Sequence, residues 1–540
     1  METAPTPLFS TRMLQIIIGT ALVLGTIAML KSPPGIFSDS VSGFLVMRSM
    51  DHGAAFNHTL RVDPDLMTED LSEFTSWWVP GQYLVPGAIH SLGFDLGESM
   101  MITTLFIWVL GLYGYLRLFQ NLGFSPWVSW FSLTLIFCQP FILGYARFYH
   151  GGDLLQWGYL PWFTVWTLRS HQLQWTQLLK LTAAFCVGVF IKSSFLIFGS
   201  LVLGSLFLTL WQEQRFKVTR TTIGNAFKIG VVFLGAAWAL ATYTTMGDSP
   251  LGDRRVFHLS MEEILFALAA PLNSLFSLWT LYIPDIETIQ WSLGEINLLL
   301  SLSAAAGLGW LILILRFLPG MESYKILVCV TYLGVISAFA LAFSLDLLIS
   351  FHVRHFRVAG LLLIPGTVAL IGQARKKSIQ WIFSAALLTA CAASLLFFQF
   401  PHSRTPSQRP VGAAGFSHIY AGQDLLDALQ ELDSELQTGN NVFALPWPQL
   451  ALDIQNNRTL NMRAEILTPQ RIGSKSYYGE VDTLVVVLPA GLKEEGLHLS
   501  VLGSFKEHND WTAIYPEVQD YILMRSQKRS PSQRVIPRLK

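Results

Sequence analysis

The sequence has 540 residues, 52% of them hydrophobic and 13% charged, with 36 basic and 36 acidic side chains. Soluble domains carry roughly 25% charged residues, so half that share over this length points to a polytopic membrane protein. Zero net charge leaves no electrostatic footprint for nucleic acid. The cysteines Cys138, Cys186, Cys329 and Cys391 all sit in apolar runs, which argues against a disulfide framework or a thiolate metal site.

In chain order, the first apolar run, Leu14 to Leu30, lacks a small-residue cleavage site and reads as a retained helix over 14–31. A polar stretch follows from Lys31 to Gly97, opening with Ile36-Phe37-Ser38-Asp39 and closing with Trp77-Trp78-Val79-Pro80-Gly81-Gln82-Tyr83-Leu84. Loops of this length between spans are uncommon and usually functional. Further spanning stretches are predicted near 99–118, 127–145, 154–168, 224–243, 292–316, 325–343, 358–374 and 379–399. The run from Leu178 to Trp211 is too long for one ordinary helix and is interrupted by Lys192-Ser193-Ser194, so it reads as two short helices meeting at Lys192. About eleven transmembrane helices result, with the termini on opposite sides. The segment 263–283 carries Pro271 and Asn273 at its centre and suits a re-entrant or interfacial helix better than a span.

Basic residues in short loops set the orientation. Arg117, Arg169 with Lys180, Arg215 with Lys217 and Arg220, Arg316 with Lys325, and Arg375-Lys376-Lys377 fall on one face, which should be cytoplasmic together with the N-terminus. Loops 32–97 and 243–291 and everything beyond about residue 400 then lie outside. Three parts are expected: a transmembrane region 1–400, an extracytoplasmic α/β domain 401–525, and a basic disordered tail 526–540. In the second part, Gly422 to Leu436 has a helical period, Val442–Leu445 and Leu484–Leu488 read as buried strands, and Trp511–Tyr515 with Tyr521–Met524 as a closing hairpin. Asn57-His58-Thr59 and Asn457-Arg458-Thr459 match a glycosylation acceptor pattern.

Asp39 stands where the first helix leaves the bilayer, a position for a general base or a metal ligand, and equally for the N-cap of a helix starting near Ser40. Asp153 lies in the short outer segment Tyr149-His150-Gly151-Gly152-Asp153, where it could face Asp39 or cap a helix. His150 adds one imidazole, a weak signal for a metal. Lys192 is an ionisable group within an apolar run, a candidate functional residue unless it snorkels to the interface. Arg254-Arg255 and the run Phe351-His352-Val353-Arg354-His355-Phe356-Arg357 place cations on the outer face, against the loop-charge trend. Guanidinium groups pair bidentately with phosphate, so the outer basic residues Arg254, Arg255, Arg354, His355 and Arg357 suit a lipid phosphate or pyrophosphate, with ordinary headgroup contact the alternative for any single one. No phosphate-binding loop, dinucleotide fingerprint or nucleophile elbow is evident.

Four features resemble the GT-C-fold integral membrane glycosyltransferases, the group that includes protein O-mannosyltransferases and the bacterial aminoarabinose transferase. They are Ile36-Phe37-Ser38-Asp39, the Trp77–Gly87 stretch (WWVPGQYLVPG), the GVFIKSSFLIF segment around Lys192, and the outer α/β domain ending in WTAIYPEVQDYILMR. The resemblance implies a polyprenyl-phosphate sugar as donor, a glycan, lipid or protein as acceptor, and transfer on the outer face of a bacterial inner membrane. It implies Asp39 as the acid that activates the acceptor or binds a divalent metal, and Asp153 as a second acid or metal ligand. Where many members carry paired acids, this chain has Asp39 followed by Ser40. A lipid-linked glycan transporter would need a polar path through the spans, whereas polar residues here concentrate at the outer face. A non-catalytic membrane scaffold is the other alternative.

Overall fold

The computed structural model describes residues 9–170, 173–247, 260–277, 293–345, 347, 352–374, 376–399, 409–463, 466, 468–518 and 520–528. These fall in two units: Met1–Met29, Thr103–Ala146 and Gly152–Thr405 in one, Leu30–Ile102, Arg147–Gly151 and Pro406–Lys540 in the other.

Each apolar stretch predicted from the sequence forms helix. Those helices are Thr11–Lys31, Leu96–Asn121, Pro126–Phe137, Gly152–Leu168, Trp175–Ile191, Phe195–Glu213, Arg220–Thr244, Leu293–Phe317, Glu322–Ser344, Arg357–Gly372 and Lys377–Gln399. Among the described residues, seven helices are long and apolar enough to cross a membrane, while Pro126–Phe137 and Trp175–Ile191 are shorter.

Two segments differ in detail from simple spans. The stretch predicted over 127–145 breaks at Gln139, which is extended (φ −64, ψ 134) ahead of a short helix Pro140–Gly144. The cause is Pro140, which lacks an N–H and pushes its predecessor out of the helical region. Gln139 satisfies the break: its amide donates to the Leu135 carbonyl at 2.9 Å and its Oε1 accepts the Phe276 N–H at 2.6 Å. Of the second segment, 263–283, residues 278–283 lie outside the described residues; the rest forms the 13-residue helix Met261–Asn273 and then a single turn at Leu275–Ser277. A helix of that length reaches about 20 Å, short of the ~30 Å hydrocarbon core.

In the membrane unit, glycines let the helices on either side of Lys192 close on one another. A Cβ on Gly188 would lie 2.2 Å from the Phe195 ring, and one on Gly199 would lie 2.2 Å from that of Phe185. Phe163, Phe185 and Phe195 fill the crossing, with ring centroids 5.3–6.0 Å apart.

The second unit joins the long loop to the C-terminal residues around shared cores. Its strands are β1 (Gly35–Ile36), β2 (His58–Val62), β3 (Asp70–Phe74), β4 (Phe148–Tyr149), β5 (Asn441–Leu445), β6 (Arg458–Asn461), β7 (Thr483–Pro489), β8 (Trp511–Val518) and β9 (Tyr521–Gln527). The five-stranded sheet has the order β6-β5-β7-β9-β8. β5 pairs in parallel with β6 and β7, whereas β9 is antiparallel to both β7 and β8. Parallel strands covered on both faces read as continuous apolar runs, which is why Thr483–Pro489 has no polar alternation. One face packs under the helix Gln423–Glu435 through Leu425, Leu429 and Leu432. The opposite face buries Val62 and Met67, contributed by the long loop, with Val442, Val486 and Tyr477.

Arginines complete this union. Arg48, on the helix Ser38–Asp51, donates to the Ile454 carbonyl at 3.0 and 2.8 Å and to the Asn457 carbonyl at 2.7 Å. Arg458 bonds Asp70 Oδ1 at 2.7 Å, the Met67 carbonyl at 2.7 Å and the Glu69 carbonyl. Both asparagines of the glycosylation patterns are buried. Asn57 donates to the Thr75 carbonyl at 2.7 Å and Asn457 to Asp433 at 2.8 Å, so the folded chain presents neither as an acceptor.

His508 is buried beneath Trp511. Its Nε2 accepts the Val481 N–H at 3.3 Å while its Nδ1 faces Ser526 Oγ at 3.3 Å, an arrangement of the neutral ring. Burial pulls its pKa below the ordinary histidine value, against the opposing pull of Glu480 and Glu507.

Replacing Arg48 by Ala strands three hydrogen bonds and should lower the stability of this unit by about 2–4 kcal/mol. Thermal melting of the full protein in detergent measures this, and an unchanged transition would show that the clamp contributes nothing. The buried His508 adds a pH term. Below about pH 6.5 the unfolded chain takes up the proton first, so it binds more protons than the folded state and stability is lost as the pH is lowered. Above pH 7 the term vanishes. Melting at pH 5.5 and 7.5 should differ more for wild type than for His508→Gln, and equal differences would remove the assignment.

Candidate functional site

In the membrane unit, Asp153, Lys192, Arg354, His355 and Arg357 come together. Lys192 ends the helix Trp175–Ile191 in an extended conformation (φ −158, ψ 128), its N–H still bonded to the Gly188 carbonyl at 3.1 Å. That break turns the side chain onto Asp153, in the first turn of the helix Gly152–Leu168, and the two form an ion pair with 20% and 15% of their side chains exposed. Gly152 makes the approach feasible, because a Cβ there would lie 3.0 Å from the Ile191 carbonyl and 3.2 Å from Lys192 Cβ.

Arg354 stands in the turn Val353–Phe356, and Arg357 opens the next helix, Arg357–Gly372. The charges of Lys192, Arg357 and Arg354 all bear on Asp153. The Arg357 guanidinium lies over the Phe141 ring at 4.2 Å and donates to the buried Tyr145 hydroxyl. His355 stacks on Phe339 at 5.0 Å, within the influence of Lys192, Arg354 and Asp153. Three strong cations therefore surround one carboxylate, in a medium where an uncompensated charge costs several kcal/mol. Tyr145 and Phe141 were not singled out in the sequence; an aromatic pair four residues apart in an apolar run carries no distinguishing signal.

In the other unit, Asp39 occupies the first turn of the helix Ser38–Asp51. The N-cap is Phe37 rather than Asp39, because residues 35–37 are held extended by the β1–β4 ladder. Gly35 N–H bonds the Arg147 carbonyl at 2.7 Å and Phe37 N–H bonds that of Tyr149 at 3.2 Å. The ladder sets the Phe37 ring on His150, with centroids 4.4 Å apart. Next to Asp39, Ser40 Oγ is buried without a hydrogen-bond partner among the described residues, as is Gln82 Nε2. A Cβ on Gly151, whose φ is +53, would fall 2.7 Å from Ser40 Oγ and 2.9 Å from Gln82 Oε1. Gln82 and Ser40 are polar groups that sequence reasoning passed over. Their signal is only that they flank the aromatic-proline stretch and Asp39.

Arg254 and Arg255 lie outside the described residues. The donor set around Asp153 does not fit a divalent metal, since its carboxylate is committed to Lys192 and its other neighbours are cations. Among the described residues, no group of three or more His, Cys, Asp or Glu side chains could hold an ion.

No protein-family model and no curated protein sequence matches this chain. Solved structures do. Arabinofuranosyltransferase AftD from Mycobacteria superposes with a TM-score of 0.51 at 14% identity, covering 96% of this chain and 40% of AftD. ArnT from Cupriavidus metallidurans gives 0.41 at 11% identity, covering 95% and 97%. The Archaeoglobus fulgidus oligosaccharyltransferase gives 0.44 at 10% identity, covering 91% and 72%. The chain spans about two fifths of the length of AftD, and at such identity the likeness extends to the fold alone. The helical membrane unit and the sheet-containing unit thus make up a chain with the GT-C fold of integral membrane glycosyltransferases.

Proposed function

We propose that this protein is a membrane glycosyltransferase that moves a sugar from a polyprenyl-phosphate donor to an acceptor on the outer face of the membrane. The observation that carries the reading is the gathering of Lys192, Arg354 and Arg357 around Asp153 at the ends of apolar helices. A lipid phosphate brings a compact negative charge to that depth, and Arg and Lys are its natural partners. The orientation follows from the basic short loops, which assign the opposite face to the cytoplasm.

The reaction is a single displacement. The acceptor, a hydroxyl of a glycan, lipid or protein, attacks the anomeric carbon as the bond from that carbon to the phosphate oxygen breaks. The electron pair leaves on the polyprenyl phosphate, whose charge Lys192, Arg354 and Arg357 stabilise. The acceptor proton passes to Asp39 as general base. Asp153 is the positioning group for Lys192, holding the ammonium through their ion pair.

Release of sugar from radiolabelled polyprenyl-phosphate sugars by the purified protein tests the scheme. Lys192→Met and Arg357→Met should each lower kcat about 10²- to 10³-fold, the loss expected for one preorganised charge. The double variant Asp153→Asn with Lys192→Met removes the stranded carboxylate. It should remain as slow as Lys192→Met, whereas recovery to wild-type rate would make the pair purely structural. Asp39→Asn should fold normally, bind donor and lose transfer by about 10²- to 10⁴-fold. Full turnover by that variant would remove Asp39 as the base.

A further inference from the structure

In the second unit, the ends of the sheet strands carry a flat aromatic pair with one exposed member. Tyr420 and Trp447 stack with centroids 4.1 Å apart and planes 9° from parallel. The Tyr420 ring, 40% exposed, is the outer member, and on Trp447 the Arg463 guanidinium lies 5.5 Å from the ring centre. The buried Tyr521 ties the Trp447 ring to the Tyr420 main chain: Trp447 Nε1 donates to its hydroxyl at 2.8 Å, and that hydroxyl donates to the Tyr420 backbone carbonyl at 2.5 Å. With Trp447 fixed by that bond and Tyr420 stacked flat on it, the pair loses little freedom when a ligand settles on it.

The pair sits where an open α/β sheet binds ligands. Trp447 lies two residues beyond the carboxyl end of β5, and Arg463 two beyond that of β6. Tyr521 faces Pro489 at the carboxyl end of β7. From β5 the chain moves outward to β6 and then returns to β7 on the other side, so the strand order reverses at β5. Crevices beyond the carboxyl ends of strands at such a reversal are the usual ligand positions of these sheets.

We propose that Tyr420, Trp447 and Arg463 form a carbohydrate-binding platform for an oligosaccharide chain. The C–H face of a sugar ring is flat, apolar and weakly positive, and it matches the negative face of a rigid aromatic ring. The hydroxyls at the ring edge need donors and acceptors, which the Tyr420 hydroxyl supplies on the outer ring and the exposed Arg463 guanidinium on Trp447. Assigning the bound chain to the acceptor rests on the transferase reading; the binding itself does not.

The test is saturation-transfer NMR on the full-length protein in nanodiscs, with arabino-, xylo- and cello-oligosaccharides as probes. Donor turnover is followed on the same samples. Wild type should bind at least one series, Tyr420→Ala should weaken that binding about ten-fold, and Tyr420→Phe should keep most of it. Tyr478→Ala, which removes another exposed tyrosine ring, should leave binding intact. Binding lost in Tyr420→Ala without donor turnover by wild type would uphold the platform and remove the transferase. Failure of wild type to bind any of the three series, or equal binding by Tyr420→Ala, would overturn the platform whatever the turnover.

Discussion

A carboxylate on a long extramembrane loop has a defined position only if the loop is fixed, and the Arg48 clamp supplies that constraint. One guanidinium crosses from the helix that carries Asp39 to the carbonyls of Ile454 and Asn457. Burial pulls the Arg48 pKa down, while Asp433 and Asp70 hold it up. The carbonyls it reaches are themselves ordered, because Asp433 accepts the N–H groups of Gln455 and Asn456 and the amide of Asn457. Removing any member leaves buried polar groups unpaired, which costs more than the bond gained in making it. Val62 and Met67 then extend the sheet's own core into the loop, so loop and sheet become one cooperative unit.

The membrane unit solves a different problem. Three cations and an acid must be kept at the ends of apolar helices, where an isolated charge is unfavourable. Pairing Lys192 with Asp153 meets part of that cost, and the aromatic faces under Arg357 and beside His355 meet more through cation–π attraction and stacking. The glycines on either side make the geometry available. Gly188 and Gly199 admit the phenylalanine rings that hold the crossing, and Gly152 admits Lys192 beside the start of its partner helix. Side chains at those positions would push the pair apart.

Much of this was legible in the sequence. The apolar stretches, the helix break at Lys192, the C-terminal strands and their closing hairpin all follow from periodicity and composition, which act locally. The break at Gln139 was missed, because the continuous apolar run over 127–145 outweighed the local signal of Pro140. The glycosylation patterns failed for a tertiary reason: a sequon does not report burial, and Asn57 and Asn457 donate into the protein interior. The N-cap expectation for Asp39 failed because the β1–β4 ladder, formed with residues more than a hundred positions away, holds Phe37 extended and starts the helix one residue before Asp39.

The sequence by itself determined which stretches are apolar enough to form buried or spanning helices and where charges interrupt them, because hydrophobic length and local propensity depend only on neighbours along the chain. It could not determine partners. That Lys192 meets Asp153, that Arg48 reaches residues 454 and 457, and that Tyr420 lies on Trp447 are consequences of loop closure and packing between distant segments. Those contacts pair groups by shape and charge in three dimensions, and no one-dimensional pattern records them.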